Sequence, residues 1–386
     1  MNIVFISPHF PSNFRHFCAR LHQKGVNVLG IDQVQYEHLG HPLHSSLKDY
    51  YQVSDLHNYS ELVDALDYFI KKYGPIDLIE SHNEYWLDTQ ARLASHFEIP
   101  GLGMNELEQI KRKSRMKEVF YAAGLTPAKG AVVQSFDHAI NLVSDLGYPA
   151  MLKPDIGVGA NGCFKVRSKS DLSDFFAKRP NQEYLMEEFI EGQIFSFDGL
   201  VDKEGTVIFS ASHAYGAGIA EIVNHHLDQV YYSLRSIPSD LEQMGKKILQ
   251  AYGVKERFFH LEFFRKYSDS SLIPIEVNMR PPGGPTLDMC NFACDIDLYR
   301  VWAEMITGQL HGFSYERKYH CMTICRRFKN QYAHSHEQIL DRAQGLIVHC
   351  DSVVPIYYAT MGDFYYVVRS PHLDELQDLQ RYIHSR

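Results

Sequence analysis

The sequence predicts an α/β chain that passes into α+β structure: an open parallel sheet with helices on its faces comes first, and hairpin-rich segments follow. Three observations carry this. Over residues 1–105, apolar strands alternate with amphipathic helices. From about residue 150, short apolar runs are joined by glycine-containing or polar turns, as in hairpins. A chain of 386 residues also exceeds one ordinary core, so two or three domains are expected. The first boundary is expected near residue 105, where the strand–helix alternation ends.

Apolar content of 45% and charged content of 22% belong to a globular protein, not a disordered one. A net charge of −9 argues against a nonspecific nucleic-acid binder. The opening MNIVFISPHF lacks the basic start and long apolar core of a secretory signal. No apolar run approaches the roughly 18–20 residues that span a bilayer. A cytoplasmic setting is therefore expected. Seven cysteines do not make a disulfide scaffold. Cys290/Cys294 and Cys321/Cys325 have C-x₃-C spacing without a glycine-rich knuckle, so they are expected as buried thiols.

In the N-terminal unit NIVFIS is a strand, NFRHFCARLHQKG a helix stopped at Gly25, and VNVLGID a strand ending at Asp32, which makes a βαβ unit. A helix from Tyr59 to Tyr73 aligns Leu62, Leu66, Phe69, Ile70 and Tyr73, with Asn58 and Glu61 spaced as a capping box. Pro75 opens the strand IDLIES, and a helix over about 87–97 runs to the stop EIPGLG. The first turn, SPHFPSNF, has no glycine fingerprint and does not read as a dinucleotide site. Ligands of open sheets sit at strand carboxyl ends, which selects Ser7, His9, His82, Asn83 and Glu84. SHNE is there either a site edge or a helix start capped by its own Asn and Glu.

One helix is expected from Glu106 to Ala123, ending at Gly124 with Pro127 beyond. Its run KRKSRMK is a solvated face or, through Lys113, a phosphate contact; the run is compatible with both. A second helix, Phe136 to Leu146, starts at the cap Ser135 and stops at Gly147. Lys153 then falls inside a short apolar strand, where an ammonium needs an anionic partner. Gly157, Gly159 and Gly162, with Asn161 among them, spell G-x-G-x-x-G, but β-like CFKVRS follows where a fingerprint needs a helix. The motif is therefore a strand–glycine loop–strand hairpin, whose backbone N–H groups can close over polyphosphate.

After a helix over about 171–178, Tyr184–Met186 form a strand that breaks at Glu187, Glu188, Phe189 and Ile190 toward Gly192. IFSFDGLV and TVIFSASH pair across DKEG. Residues 214–230 have no clean period and read as a loop lining a cavity. A helix over about 241–252 leads onward, LDMCNFACDIDLYRVWAEMITG reads as helix, and HCMTICRRF, LIVHCD and FYYVVRS read as strands. A final helix is expected with Pro371 early in it.

The chemistry converges on His260 to Gly284. HLEFF and LIPIEVN read as strands joined by a polar turn, and a hairpin symmetric about Asp269 sets Glu262 opposite Glu276 and His260 opposite Asn278. Glu276, Asn278 and Arg280 then share one face, while Ile275, Val277 and Met279 share the other with Leu261 and Phe263. Facing carboxylates repel by roughly 0.2–1 kcal/mol, a cost that a bound cation removes. Two glutamates and an asparagine are hard oxygen donors suited to Mg²⁺. The other reading is an exposed face with two unrelated acids.

The ordered series Lys113, Lys153, glycine hairpin, EEFIEG and E…E-x-N-x-R resembles the ATP-grasp superfamily, and within it the carboxylate–amine ligases, over about residues 1–310. The resemblance implies an ATP-grasp fold over 106–310, with the nucleotide between two α+β subdomains and residues from about 125 to 190 as the lid, and a C-terminal α+β subdomain over 311–386. Lys113 and Lys153 would hold ATP phosphates, and Gly157–Gly162 would be the mobile lid loop. Glu187, Glu188 and Ile190 would edge the adenine, largely through backbone groups, with Phe189 nearby. Glu262, Glu276 and Asn278 would hold Mg²⁺, usually two ions, with Mn²⁺ as a substitute. Arg280 and Lys153 would serve catalysis, Arg280 by steadying charge on the transferring phosphoryl group. Family members commonly place an acid on the ribose two positions after the hinge glycine. Here that position is Ile194, which leaves Glu191 or another acid for the role. Residues after 310 match no family motif.

The implied activity activates a small carboxylate, an amino acid among the candidates, as an acyl-phosphate that an amine then attacks. Phosphoryl transfer needs positioning and neutralisation, which two lysines, an arginine and Mg²⁺ supply. His213, His225 or His226 could assist the amine. The expected partners are small-molecule carboxylate and amine substrates, with no nucleic acid or membrane and a homodimer as an allowed assembly. Two other readings stand beside this one: a bicarbonate-activating carboxylase of the same fold, and a non-catalytic ATP-binding regulatory module. The full Lys/Glu/Glu/Asn/Arg set argues against the last. Substrates would be read by His82–Glu84, the 214–230 loop and PPGGPTLDM.

Overall fold

The four strands of the N-terminal unit are β1 (Asn2–Ile6), β2 (Asn27–Asp32), β3 (Asp49–Gln52) and β4 (Leu78–Glu80). In the computed structural model they form a parallel sheet in the order β3-β2-β1-β4. The structure describes residues 1–157, 162–178 and 181–386, so two expected loop residues, Gly159 and Asn161, lie outside the described residues. Every residue of β1 is buried because helices cover both sheet faces. Phe17, Cys18 and Leu21 of the helix Arg15–Gln23 pack on one face, and Leu62, Leu66 and Phe69 of the helix Tyr59–Tyr73 on the other. The latter helix has its expected bounds but not its expected capping box. Both oxygens of Glu61 are taken by the N–H and hydroxyl of Ser54 at 2.5 Å.

A second sheet contains β5 (Gly130–Val132), β6 (Ala150–Pro154), β7 (Phe164–Val166) and β8 (Tyr184–Glu188), in the order β5-β8-β6-β7. Leu152, Val166, Tyr184 and Met186 meet Val143 and Phe175 from the helices Phe136–Leu146 and Lys169–Lys178 to give this unit its own core. β6 and β7 pair antiparallel, as a strand–loop–strand hairpin must.

The largest sheet has eight strands: β9 (Gly192–Val201), β10 (Val207–Tyr215), β11 (Val230–Ser233), β12 (Arg257–Lys266), β13 (Leu272–Asn278), β14 (His320–Arg326), β15 (Ile347–Ser352) and β16 (Phe364–Ser370). Their order is β13-β12-β9-β10-β11-β14-β16-β15, with antiparallel neighbours throughout. Alternation sends Phe197, Phe259, Leu261, Phe263 and Val277 to one face, into a core shared with the helices Lys113–Ala122 and Ser239–Ala251. Leu200, Phe209 and Phe258 go to the other face, in one core with Phe17 of the N-terminal unit and Trp302. Each fully buried side chain of this size is worth about 1.5–3 kcal/mol.

Gly199 sits where β9 is squeezed between β10 and β12. A Cβ there would lie 2.6 Å from the Phe259 ring and closer still to the Phe209 carbonyl. Gly199→Ala is expected to lower stability by about 1–3 kcal/mol, read as a lower urea midpoint with an unchanged slope.

Several expectations are corrected. The helix expected over 106–123 is two, Met104–Lys111 and Lys113–Ala122, because Arg112 is extended (φ −92°, ψ 117°) and bridges Ile156. Its guanidinium holds Glu108, Asp155 and Glu183. The helix expected after Pro285 breaks at Asp295 (φ 53°) into Thr286–Cys294 and Leu298–Ile306. The 214–230 segment contains a helix, Ile219–His225. Pro371 precedes the last helix, Leu373–His384, instead of lying within it. His336–Ala343 is a further helix, not among those expected. The four C-x₃-C thiols are buried and free, as expected.

Candidate active site

A cleft of about 900 Å³ opens between the second sheet and the large one. Lys113, Lys153, Gly157, Glu262 and Glu276 line it together, although up to 163 positions separate them in the chain. The break at Arg112 explains Lys113: it begins a new helix, its N–H bonded to the Asp155 carbonyl at 2.9 Å. Its ammonium donates to the Gly157 carbonyl at 2.8 Å and lies 3.4 Å from Glu276 Oε1. Lys153 projects from β6 and pairs with Glu187 Oε2 of β8 at 2.5 Å. Lys117 holds the other Glu187 oxygen and donates to the Ala128 carbonyl. Within KRKSRMK the signal for Lys117 is its position one helical turn after Lys113, a spacing that the charge run itself does not single out. Burial alone would push the Glu187 carboxyl up; Lys153 and Lys117 outweigh it and hold it down. Burial likewise opposes the Lys153 charge, and Glu187 reverses the balance and raises it.

The EEFIEG segment divides. Phe189, Ile190, Glu191 and Gly192 line the cleft, with the Lys165 ammonium 3.4 Å above the Phe189 ring. Glu188 does not line it; its carboxylate accepts the Lys129 N–H at 2.7 Å at the β5 edge. Ile194 lines the cleft and packs beside Gly218, and Glu221 lies on the helix that Gly218 precedes.

The expected facing pair is observed: Glu262 opposes Glu276, and His260 opposes Asn278. The symmetric register ends there. A β-bulge follows Glu262, so that Phe263 faces Pro274 and Ile275 is the extra residue. Ile275 is therefore corrected from the apolar face to the cleft wall beside Glu276. Leu272, Val277 and Met279 remain in the core with Leu261 and Phe263.

Burial pushes the Glu276 carboxyl up; Lys113 opposes this and Glu262 adds to it. Arg280 continues the face. Its guanidinium donates twice to Glu84 Oε2, at 3.0 and 2.6 Å, and lies 3.4 Å from Asn278 Oδ1. Glu84 comes from the loop after β4, so the N-terminal unit reaches the site through this residue. Asn83 meanwhile caps the short turn by accepting the Tyr85 N–H. SHNE is thus a helix start whose Glu84 also reaches Arg280.

Behind Glu262 lies a buried network that the sequence did not announce. Asp198 of β9 accepts from His260 Nδ1 at 2.5 Å and His213 Nδ1 at 2.7 Å, and His260 Nε2 is 3.2 Å from Glu262 Oε1. Burial works against a charged His260, but Asp198 and Glu262 prevail and raise it to about 10. His213 is fully buried here, which removes it from the histidines available to a substrate. His226 is exposed, and among the three only His225 lines the cleft.

At the ends of β1 and β4, Ser7 (φ 53°) and His82 (φ 54°) both adopt left-handed backbone. His82 is wedged among aromatic rings, with centroids 4.0 Å from Phe17 and 4.5 Å from Trp302. Burial lowers it to about 4, against the pull of Glu80. A histidine lowered on folding binds fewer protons in the native state than in the unfolded one. Stability should therefore fall as pH drops from about 6.5 to 4, by roughly 3 kcal/mol in all. Urea titrations should show that acid limb flattened in His82→Phe. His9 pairs with Asp32. The PPGGPTLDM segment closes on the N-terminal unit: Asp288 accepts from Asn13 at 3.0 Å and Tyr299 at 2.6 Å.

Glu262, Glu276 and Asn278 fit a divalent cation: two opposed carboxylates and a neighbouring carboxamide, all oxygen donors, on one sheet face. Among the described residues there is no group of three or more His, Cys, Asp or Glu side chains poised for a metal. No helix among them is long and apolar enough to cross a membrane.

Residues 146–288 match the ATP-grasp domain family. The L-arginine-specific L-amino acid ligase of Bacillus subtilis is 27% identical over 274 residues, covering 67% of this chain and 64% of its own length, so the match spans under two thirds of that relative. The fold is similar to the L-amino acid ligase from Bacillus licheniformis (TM-score 0.75, 14% identity, 99% of this chain and 96% of that one). It is also similar to the biotin carboxylase domain of 2-oxoglutarate carboxylase from Hydrogenobacter thermophilus, crystallised with MgADP and bicarbonate (TM-score 0.73, 17% identity, 99% and 89%). Over residues 146–288 the chain resembles an ATP-grasp domain, and it is similar to the carboxylate–amine ligases of the ATP-grasp superfamily.

Proposed function

We propose that the protein is an ATP-dependent ligase that joins a small carboxylic acid, an amino acid among the candidates, to an amine and releases ADP and phosphate. The observation that carries this reading is the meeting of Lys113, Lys153, Glu262 and Glu276 in one cleft, with Arg280 on the same sheet face as the acids. The resemblance to the Bacillus subtilis L-arginine-specific L-amino acid ligase supports an amino acid as one substrate. A carboxylate oxygen of the acid attacks the γ-phosphorus, ADP leaves, and the amine displaces phosphate from the acyl carbon with loss of one proton. Lys113 and Lys153 bind and orient the phosphates, and Arg280 neutralises charge on the transferring group. Glu262, Glu276 and Asn278 hold Mg²⁺, which when bound screens the phosphate charge. His225, which lines the cleft, would take the amine's proton. Phe189 and Ile190 flank the adenine. With Ile194 apolar, Glu191 and Glu221 are the cleft acids left for the ribose hydroxyls.

The test incubates the full chain with ATP, Mg²⁺ and pairs of L-amino acids, following ADP release and product mass. A product weighing the two substrates less one water, formed with equimolar ADP, is the expected result. The carboxylase reading is favoured by the fold of the Hydrogenobacter domain. ADP release that needs bicarbonate and ignores amino acids would establish it instead. ATP binding with no phosphate release across the panel would leave a binding module.

A further inference from the structure

The sheet face beneath the two acids is polar where the rest of that face is apolar. Ser196, Asp198, His213 and His260 lie on it at 0–6% exposure, while Leu200 and Phe258, the next residues of β9 and β12 on the same face, belong to the hydrophobic core. Packing therefore does not require the polar group, and burying it carries a cost unless its bonds are met. Most are met, and they run in one direction. Ser196 Oγ (2.5 Å) and His213 Nδ1 (2.7 Å) anchor Asp198 Oδ2, Asp198 Oδ1 accepts from His260 Nδ1 (2.5 Å), and His260 Nε2 reaches Glu262 Oε1 (3.2 Å). Carboxylates only accept, so His260 donates from both ring nitrogens and acts as a strut between two acids. Glu262 Oε2 has no hydrogen-bond partner among the described residues.

We infer that His260 is the positioning residue for Glu262: the strut Asp198–His260 fixes one carboxylate oxygen so that the other is held ready for the cation. This rests on the magnesium reading of the proposed function. A glutamate on a sheet face otherwise samples several rotamers, and ordering it on binding costs affinity. Outer partners of metal ligands typically contribute 10–100-fold in metal affinity.

The experiment uses the full chain with ADP and Mn²⁺ as the probe. Bound Mn²⁺ is read from the loss of the free-ion paramagnetic resonance signal, and metal-free ADP binding is read by calorimetry. In His260→Asn the amide can replace Nδ1 and keep the bond to Asp198 but not reach Glu262. In His260→Gln it can replace Nε2 and reach Glu262. The expected result is Mn²⁺ affinity of the ADP complex down about 10–100-fold in His260→Asn, largely regained in His260→Gln, with metal-free ADP affinity unchanged in both. Asp198→Asn, which keeps the shape but weakens the anchor, is expected to fall between them. Thermal midpoints establish that each variant is folded. Unchanged Mn²⁺ affinity in His260→Asn, or equal loss in both His260 variants, overturns the strut. A Glu262→Gln variant that binds Mn²⁺ as well as the wild type overturns the metal reading itself, which separates the two failures.

Discussion

Arg280→Ala is expected to reduce turnover by about 10³-fold or more, measured as ADP release with the best substrate pair from the panel. The expectation rests on geometry and charge. Arg280 follows the last strand residue of the E-x-N-x-R run, keeps the face of Glu276 and Asn278, and is aimed by two hydrogen bonds to Glu84. Burial opposes its charge, and Glu84 and the two cleft acids raise it, so the guanidinium stays charged at any working pH. Arg280→Lys keeps the charge but not the planar fork, and should recover only part of the loss. Glu84→Gln should lower kcat more than it raises the KM for ATP, because it disturbs aim and not nucleotide affinity. Turnover of Arg280→Ala near the wild-type rate would remove Arg280 from the chemistry.

Glu276→Gln carries the second large effect, a fall of roughly 10²–10³-fold in turnover. It also has an opposite signature in stability. Burial and the facing Glu262 raise the Glu276 carboxyl on folding, with Lys113 opposing. For a carboxyl raised in the native state, the folded protein binds more protons than the unfolded one around that range. Its contribution to stability is therefore unfavourable when charged and improves as pH falls. The amide removes the charge, so the ligand-free variant should be at least as heat-stable as the wild type at neutral pH, and its stability should depend less on pH on the acid side. Loss of activity together with retained or increased stability would mark Glu276 as placed for a ligand. Preserved turnover would sink the magnesium assignment.

Much of this site was legible because strand periodicity is strict. The facing of Glu262 and Glu276 follows from hairpin symmetry, and the sharing of a face by Glu276, Asn278 and Arg280 follows from alternation. Two things lay beyond those rules. A bulge inserts one residue without any composition signal, so Ile275 was assigned to the wrong face. Ion pairs between distant elements, such as Lys117 and Lys153 on Glu187 or Arg280 on Glu84, depend on how separate units dock, which periodicity does not report. The break at Arg112 is of the same kind, since the local sequence favours helix and a bridge to Ile156 prevails. Asp198 was hidden for a related reason: its partners come from two other strands.

The eight-stranded sheet has a consequence for how such a chain can be inherited. β14, β16 and β15 hydrogen-bond in series beyond β11, in the same sheet whose other end carries Glu262 and Glu276. A recombination event that replaced the region after residue 319 would have to supply strands of matching register, or leave the backbone of β11 open to another chain. The stretch without a recognisable motif is thus tied by ladder pairing to the end that carries Glu262 and Glu276, and its sequence can drift only as far as that pairing allows.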